Sequence, residues 1–239
     1  MTVPYADPRP PYHRKQAFDL GDAGFGVTAN PLGLGCDCLG LIKYFDGVLT
    51  DGSGSLIKLP NVVCMHEVDN GIQWKHTNFR HPRISSVIRK RELIIQTVAT
   101  VANYEYIIMY VFDQAANIRI DIRATGILST VPSNDGVILP YATRLGKVVQ
   151  APYHQHVFSL RVDPAIGDYK KNSIVYEDVV PTVPEDNIKD DFCNSFVVKQ
   201  TTVTKSGSFD YDVEKGRYFK MINPNIINKV TKKPIGYRS

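Results

Sequence analysis

Hydrophobic and polar residues alternate along several short segments of this chain. In segment 118–123, isoleucine alternates with arginine or aspartate at every position. A period of two predicts a β-strand in a sheet with one buried face, which carries the isoleucines, and one polar face, which carries the charges. Similar segments predict strands at 39–48, 56–59, 61–67, 72–76, 83–89, 93–99, 104–112, 118–123, 155–162 and 196–204. Apolar residues do not recur at helical spacing, so many short strands predict an all-β sandwich or barrel.

Proline and glycine mark the segments between these strands. Residues 69–71, Asp-Asn-Gly, are a strong hairpin signal between two of the predicted strands. The proline- and glycine-rich segment 1–35 is expected to be extended or turn-like, and 164–195 and 222–239 are expected to be loops. The chain contains no internal repeat or low-complexity tract, and we expect residues 1–239 to form a single domain.

Composition excludes several classes of protein. Hydrophobic residues make up 43% of the chain, which is enough to bury a core and argues against disorder. The net charge of +4 is too small and too evenly spread for nucleic-acid binding, and the basic run 89–91 is interpreted as a solvated strand end. No segment reaches the ~20 apolar residues of a membrane helix. The N-terminus has no signal-peptide apolar region, so we expect an intracellular protein without membrane partners.

Tyr104 lies in the segment Asn-Tyr-Glu-Tyr at 103–106, within an otherwise apolar strand. An isolated tyrosine of this kind is most often a core residue whose hydroxyl is hydrogen-bonded. A phenol cannot by itself do electrophilic chemistry, but its ortho-quinone can, because the quinone carbonyl accepts a primary amine. The alternative interpretation is therefore a cofactor precursor carried by the chain itself.

His154 and His156 are separated by one residue on a predicted strand. Both imidazoles are therefore expected to project from the same face, where two nitrogens can chelate one metal ion. Imidazole ligands suit copper and zinc. A chance pair of surface histidines is the alternative for an isolated His-x-His.

In this order and at this distance, the two segments resemble the active centre of the copper amine oxidases. In that family the first tyrosine of an Asn-Tyr-(Asp/Glu)-Tyr motif is oxidised to topaquinone by copper, and a His-x-His supplies two of three copper-binding histidines. Segment 154–164, from His-Gln-His to Asp-Pro, is similar to the family's copper-ligand strand almost residue for residue. The resemblance covers most of the chain and implies the N-terminal portion of the catalytic domain, an incomplete large β-sandwich. It makes Tyr104 the topaquinone precursor and His154 and His156 copper ligands.

The resemblance also implies the residues around the quinone. Asp19, followed by Gly21 in a Phe-Asp-x-Gly context, matches the catalytic base that takes the α-proton of the substrate. A partly buried carboxylate has a raised pKa, which suits a base near neutral pH. Tyr5 matches the tyrosine whose hydroxyl orients the quinone, and Asn103 matches the asparagine that helps to orient the ring. Asp46 is the competing candidate for the base and is interpreted as a turn aspartate.

The chain contains four cysteines, Cys36, Cys38, Cys64 and Cys193. Cys36 and Cys38 are too close for the usual zinc spacing, so buried small hydrophobic residues are one interpretation. The resemblance implies a Cys38–Cys64 disulfide, which would stabilise the fold by roughly 3 kcal/mol, with the other two cysteines free. It also implies a second metal site near Asp163, with oxygen ligands that suit calcium or manganese. The alternative for Asp163 is a turn aspartate before proline.

The activity implied by the resemblance is oxidative deamination of a primary amine by dioxygen, dependent on copper and topaquinone. The products would be an aldehyde, hydrogen peroxide and ammonia. The resemblance further implies a homodimer and a peroxisomal or cytoplasmic location. No histidine follows His156, so the family's third copper ligand is expected outside this sequence. The alternatives are a truncated, inactive amine-oxidase-like protein that acts as a binding or assembly partner, and a generic β-sandwich metal-binding module.

Overall fold

The computed structural model describes residues 2–3, 6, 18–19, 26–183, 186 and 188–239 of the chain. These residues contain strands and no α-helix, so the predicted all-β class is confirmed. In the same residues, no helix is long and apolar enough to cross a membrane. The strands are β1 Thr2–Val3, β2 Phe18–Asp19, β3 Lys43–Thr50, β4 Leu56–Thr77, β5 Ser85–Val101, β6 Tyr104–Asp113, β7 Ile118–Gly126, β8 Val131–Pro132, β9 Ala142–Arg144, β10 Val149–Pro152, β11 Ser173–Pro181, β12 Phe196–Thr202, β13 Tyr218–Ile227 and β14 Pro234–Arg238.

The chain divides into two compact units, Met1–Ser159 and Leu160–Ser239. The first unit contains an antiparallel five-stranded sheet in the order β3-β4-β5-β6-β7, a three-stranded sheet in the order β8-β10-β9, and the pair β1-β2. The second unit contains an antiparallel four-stranded sheet in the order β12-β11-β13-β14. The expectation that residues 1–239 form a single domain stays a prediction.

The hairpin of β5 and β6 places the candidate tyrosine beside its turn. Val101 pairs with Tyr104, which leaves Ala102 and Asn103 as the two turn residues. Ala102 has a φ of 54°, in the left-handed region that tight hairpin turns require. Because side chains alternate along a strand, Tyr104 projects from one face of the sheet and Glu105 projects from the other.

The predicted hairpin turn at 69–71 is wrong, because β4 continues through it from Leu56 to Thr77. The pairing of β4 with β5 instead shifts register between Asp69 and Ile72. Gly71 has a φ of 85°, and its amide donates to Asp69 Oδ1 at 2.9 Å. The local turn chemistry is therefore present, but the sheet accommodates it as a bulge within a longer hairpin.

The strand predicted at 118–123 is present as β7, at the edge of the five-stranded sheet. Its polar face forms ion pairs, among them Arg119 with the buried Glu92 at 3.1 Å. Its apolar face is not fully buried, because Ile118 and Ile122 are 54% and 38% exposed. The predicted alternation is confirmed, whereas the predicted burial of the isoleucine face is wrong for these described residues.

A small core packs on the sheet face opposite Tyr104. Cys38 and Cys64 lie in it with Leu32 and Val98, and these four side chains are at most 9% exposed. The implied Cys38–Cys64 disulfide is present in the structure, with Cα atoms 6.9 Å apart. The other two cysteines are exposed and free. The disulfide therefore ties the segment before β3 to the centre of β4.

The second unit contains strands where proline predicted loops. The segments 164–195 and 222–239 include β11, part of β13 and β14, so the loop prediction is wrong there. Each proline lies where a strand tolerates one. Pro181 ends β11, Pro224 lies within the register shift between β13 and β14, and Pro234 begins the edge strand β14.

Candidate metal centre

Tyr104, His154 and His156 form a cluster of rings beside the five-stranded sheet. The Tyr104 hydroxyl lies 3.0 Å from Nε2 of His154. The Tyr104 and His156 rings meet edge-on, with their centroids 4.9 Å apart. Tyr104 is 5% exposed, so its phenol is largely shielded from water. The structure therefore brings together the three side chains that the sequence singled out.

The strand predicted at 155–162, which includes His156 and begins directly after His154, is absent. The chain leaves β10 after Pro152 and continues without regular strand structure through this segment. The two imidazoles nevertheless face the same space, because their centroids are 5.0 Å apart. The one-residue spacing was therefore informative about proximity, although the strand that was expected to produce it does not form.

The backbone determines how His154 presents its two nitrogens. Nδ1 lies 3.0 Å from the carbonyl oxygen of Pro152, and a carbonyl oxygen only accepts hydrogen bonds. Nδ1 of His154 therefore donates to this carbonyl, and in the corresponding tautomer of the neutral ring Nε2 has the lone pair. The Tyr104 hydroxyl donates to that lone pair. A ligand histidine whose second nitrogen donates to a carbonyl is the usual arrangement in metal sites.

At His156, the Tyr106 hydroxyl lies beside Nδ1, as the Pro152 carbonyl does at His154. The Tyr106 side chain is fully buried, and its hydroxyl lies 2.9 Å from Nδ1 of His156. Burial, and secondarily the neighbouring His154, lower the pKa of His156. A lowered pKa favours the neutral ring, which is the form that binds a metal ion. With Nδ1 directed at Tyr106, Nε2 is the nitrogen that His156 offers to a ligand.

The two imidazoles fit a shared metal ion. Metal–nitrogen bonds of roughly 2.0–2.1 Å place the centroids of two ligand rings within roughly 6 Å of each other. The observed separation of 5.0 Å meets that condition, and imidazole suits copper. Among the described residues, no group of three or more His, Cys, Asp or Glu is placed to hold a metal ion. These residues therefore offer two imidazole nitrogens, and the assignment of His154 and His156 as copper ligands stays a prediction.

On the opposite face of the sheet, Glu105 anchors the strand that carries Tyr104. The Thr100 hydroxyl donates to Glu105 Oε2 at 2.7 Å, and Asn30 Nδ2 donates to the same oxygen at 3.2 Å. Thr100 and Glu105 are cross-strand partners, so this network fixes the end of the β5–β6 hairpin. Sequence reasoning gave Glu105 only as part of a motif. It missed Asn30, which lies 75 residues away, because no local pattern links the two.

Three residues with implied roles at the quinone are placed only in part. Asp19 lies in β2, where its backbone pairs with Thr2, and its side chain is outside the described residues. Tyr5 is also outside the described residues. Asn103 is exposed in the hairpin turn, and its backbone oxygen accepts the amide of Ile127 at 2.7 Å. The roles assigned to Asp19, Tyr5 and Asn103 stay predictions.

Asp46, the competing candidate for the base, has the contacts of a structural aspartate. Its Oδ1 accepts the Asn61 amide at 2.9 Å, and its Oδ2 lies 2.7 Å from Lys58 Nζ. Lys58, followed by the Asn61 amide, lowers the pKa of Asp46. A carboxylate with a lowered pKa is a poor proton acceptor near neutral pH. The turn interpretation is wrong, because Asp46 lies within β3 at a register shift, but its contacts are those of a structural aspartate.

Asp163 was considered for a second metal ion and the basic run 89–91 for nucleic acid. Both form ion pairs with neighbouring side chains. Asp163 lies 3.1 Å from Arg161 in an exposed pair, and a calcium or manganese site at Asp163 stays a prediction. In the basic run, each side chain has an acidic partner at 2.5 to 3.0 Å. The three pairs are Arg89 with Asp69, Lys90 with Glu92 and Arg91 with Glu67.

Known proteins of one family match this chain over its whole length. A family profile described as copper amine oxidase, enzyme domain, matches residues 1–239. Copper amine oxidase 1 of Aspergillus niger is 50% identical over 238 residues, which cover 100% of this chain and 35% of that protein. The peroxisomal primary amine oxidase of Pichia angusta is 38% identical over 242 residues, which cover 100% of this chain and 35% of that protein.

A solved structure agrees with these sequence matches. The crystal structure of a copper-containing benzylamine oxidase from Hansenula polymorpha is 48% identical, with a TM-score of 0.88 over 99% of this chain and 37% of that one. This similarity confirms the predicted β-sandwich class of an amine oxidase catalytic domain. The chain spans 35% of the length of each of the two curated relatives. On the evidence of its sequence and its fold, the chain belongs to the copper amine oxidase family.

Proposed function

We propose that this chain carries the cofactor-forming part of a primary amine oxidase that depends on copper and topaquinone. The reaction is oxidative deamination of a primary amine by dioxygen to an aldehyde, with release of hydrogen peroxide and ammonia. The observation that carries the proposal is the 3.0 Å contact between the Tyr104 hydroxyl and Nε2 of His154. It joins the residue that would become the cofactor to a residue that would hold the metal.

The described side chains support the metal and shield the phenol. When bound, copper with dioxygen would supply the oxidation that converts Tyr104 to topaquinone, the group that reacts with the amine. His154 and His156 would hold the ion through their Nε2 atoms, and on His154 the ion would take the place of the Tyr104 hydroxyl proton. The Pro152 carbonyl and the Tyr106 hydroxyl keep the two rings in the orientation that this requires. Burial of Tyr104 excludes bulk water from the reacting ring.

Family membership supports the assignment of three further roles. Asp19 removes the α-proton of the bound amine, for which a carboxylate with a raised pKa is suited. Tyr5 orients the ring at position 104 through its hydroxyl, and Asn103 contributes to the same orientation from the hairpin turn. A substitution Asp19→Asn is therefore expected to leave metal binding intact while it abolishes turnover.

We also infer that the working form is a homodimer, in which the outer part of the β4–β5 hairpin contacts a second copy. Six large apolar side chains of this part, residues 72–88, are exposed to solvent. They are Ile72, Trp74, Phe79, Ile84, Val87 and Ile88, with exposed fractions of 54%, 49%, 84%, 62%, 48% and 51%. Apolar side chains grouped in this way mark contact surfaces.

The names of relatives from Pichia angusta and Nicotiana tabacum support a peroxisomal location, with the cytoplasm as the alternative.

The test of the proposed activity compares Tyr104→Phe with Tyr110→Phe, a control in the same strand whose side chain is 43% exposed. Each protein is expressed with copper. The measurements are copper stoichiometry, the mass of the peptide that contains residue 104, phenylhydrazine titration and peroxide release with short alkyl and aryl amines. We expect an altered mass at residue 104, a coloured adduct and peroxide for the parent and for Tyr110→Phe, and none of these for Tyr104→Phe.

An unmodified tyrosine at position 104 in copper-loaded parent protein would overturn the proposal. Together with absent peroxide, it would leave the truncated, inactive binding partner as the better hypothesis. Equal peroxide release by the parent and by Tyr104→Phe would also overturn it, because the chemistry would then not depend on that phenol.

A further inference from the structure

The last residue of β7 is a glycine that lies directly against the backbone of Tyr104. Gly126 pairs with Tyr104 across the β6–β7 ladder. Its φ of 111° is one that L side chains rarely adopt. A Cβ atom at this position would lie 2.4 Å from the carbonyl oxygen of Asn103 and 2.9 Å from Cα of Tyr104. Only a residue without a side chain allows the two strands to come this close here.

The close approach also forms a hydrogen bond at the hairpin turn. The amide of Ile127, the residue after Gly126, donates to the carbonyl oxygen of Asn103 at 2.7 Å. The end of β7 therefore holds the turn residue that directly precedes Tyr104. On the other face of the sheet, Thr100 and Asn30 hold Glu105, the residue that directly follows it. Tyr104 is thus fixed on both sides, and its backbone has little room to yield.

We propose that Gly126 is a positioning residue for Tyr104, which sets the distance from the Tyr104 phenol to Nε2 of His154. A side chain at 126 must displace the Asn103 carbonyl or the Tyr104 backbone, and the phenol moves with that backbone. Hydrogen bonds weaken steeply as distance and angle depart from their optimum. The part of this inference that concerns cofactor formation rests on the proposed function of Tyr104. The part that concerns the Tyr104–His154 contact does not.

The experiment compares Gly126→Ala with Gly236→Ala. Gly236 is the matched control, because it lies in β14 opposite Ile222, and a Cβ there would lie 2.4 Å from the carbonyl oxygen of Met221 and 3.0 Å from Cα of Ile222. Both substitutions introduce a similar backbone clash, but Gly236 belongs to the second unit. The backbone clash is therefore matched, whereas the positive φ is particular to Gly126, so the comparison is made between folded variants by readouts other than stability.

The first readout is the ¹⁵N resonance of Nε2 of His154 in metal-free protein labelled at histidine. The variant Tyr104→Phe defines the position of this resonance when the phenol hydrogen bond is removed. We expect Gly126→Ala to move the resonance towards that position and Gly236→Ala to leave it at the parent position. If Tyr104→Phe shifts this resonance but folded Gly126→Ala keeps it at the parent position, the inference is overturned, whatever the outcome with copper.

The second readout is the rate at which residue 104 gains mass after copper is added in air. A displacement of about 1 Å in a reacting group costs about 100-fold in rate. We expect Gly126→Ala to slow the conversion at least tenfold relative to the parent and to Gly236→Ala. A parent protein that does not convert contradicts the proposed function, whereas equal conversion by Gly126→Ala and the parent contradicts the positioning role.

If Gly126→Ala does not fold, Ile127→Pro decides the question. This variant keeps Gly126 and removes the amide that donates to the Asn103 carbonyl, while the proline ring also fixes φ at 127 and restricts Gly126. We expect the His154 resonance to shift in the same direction by a smaller amount. An unshifted resonance in folded Ile127→Pro would then overturn the positioning role of this contact.

Discussion

At the scale of single residues, the site depends on which nitrogen of each histidine is already engaged. His154 donates from Nδ1 to a backbone carbonyl, and Nδ1 of His156 lies beside the Tyr106 hydroxyl. Both rings therefore direct Nε2 to the same space, where an ion that binds His154 would replace the Tyr104 hydroxyl proton on that nitrogen. The partner of Nδ1 in His154 is a backbone carbonyl, which a side-chain substitution does not remove. The partner of Nδ1 in His156 is a side-chain hydroxyl.

Tyr106→Phe tests the importance of that side chain. Loss of the hydroxyl leaves Nδ1 of His156 without its oxygen partner, so the ring can rotate and Nε2 loses its fixed direction. Removal of such an outer partner typically costs about 10- to 100-fold in metal affinity. We expect a loss in this range, measured with zinc by competition against a chelator, because zinc binds imidazole and cannot oxidise Tyr104.

Tyr110→Phe is the control for this loss. Tyr110 lies on the same strand and the same face as Tyr106 but is 43% exposed. Its variant is expected to bind zinc like the parent. Equal affinities for Tyr106→Phe and the parent would show that the Tyr106 hydroxyl does not orient His156.

At the scale of secondary-structure elements, local sequence predicted strands well where two faces differ in polarity. The alternation at 118–123 predicted β7, and an apolar run predicted β6. The failures have physical causes. Asp69-Asn70-Gly71 carries turn chemistry that the sheet absorbs as a bulge, and prolines mark loops only when they are not at strand ends, edges or bulges.

The site itself was predictable to the extent that its chemistry is local in sequence. Tyr104 and the His154–His156 pair are each recognisable within a few residues, and the structure brings them together. Asn30 and Gly126 were not recognisable, because their importance arises from contacts with strands far away in the chain. A glycine at a strand end has no sequence signal that separates close backbone approach from an ordinary turn.

The Cys38–Cys64 disulfide allows a test at this scale. It closes a loop with a sequence separation of 26, and a loop of this size is expected to stabilise the folded state by about 3 kcal/mol. We expect the double variant Cys38→Ala, Cys64→Ala to lose about that much free energy of unfolding in urea under oxidising conditions. Cys36→Ala, at an exposed free cysteine, is the control and is expected to match the parent. Identical unfolding midpoints for the double variant and the parent would contradict this role of the disulfide.

At the scale of the whole molecule, the outer β4–β5 hairpin is the place to test association. Phe79 and Ile84 are 84% and 62% exposed near its tip. We expect the double variant Phe79→Ser, Ile84→Ser to raise the dissociation constant of the homodimer at least tenfold in sedimentation velocity over a concentration series. Val230→Ser removes an apolar side chain that is 90% exposed elsewhere and is expected to have no effect. An unchanged dissociation constant for the double variant would assign the contact to another surface.

The isoleucine row of β7 has a consequence for handling the protein. It lies at the edge of a sheet, where, among the residues that the structure describes, one side of β7 has no neighbouring strand, and Ile118 is 54% exposed there. An exposed edge strand with apolar side chains pairs with edge strands of other molecules and promotes aggregation. Soluble recovery of the chain by itself should therefore fall as it is concentrated, and a lysine introduced at position 118 should restore it without any change to the ring cluster.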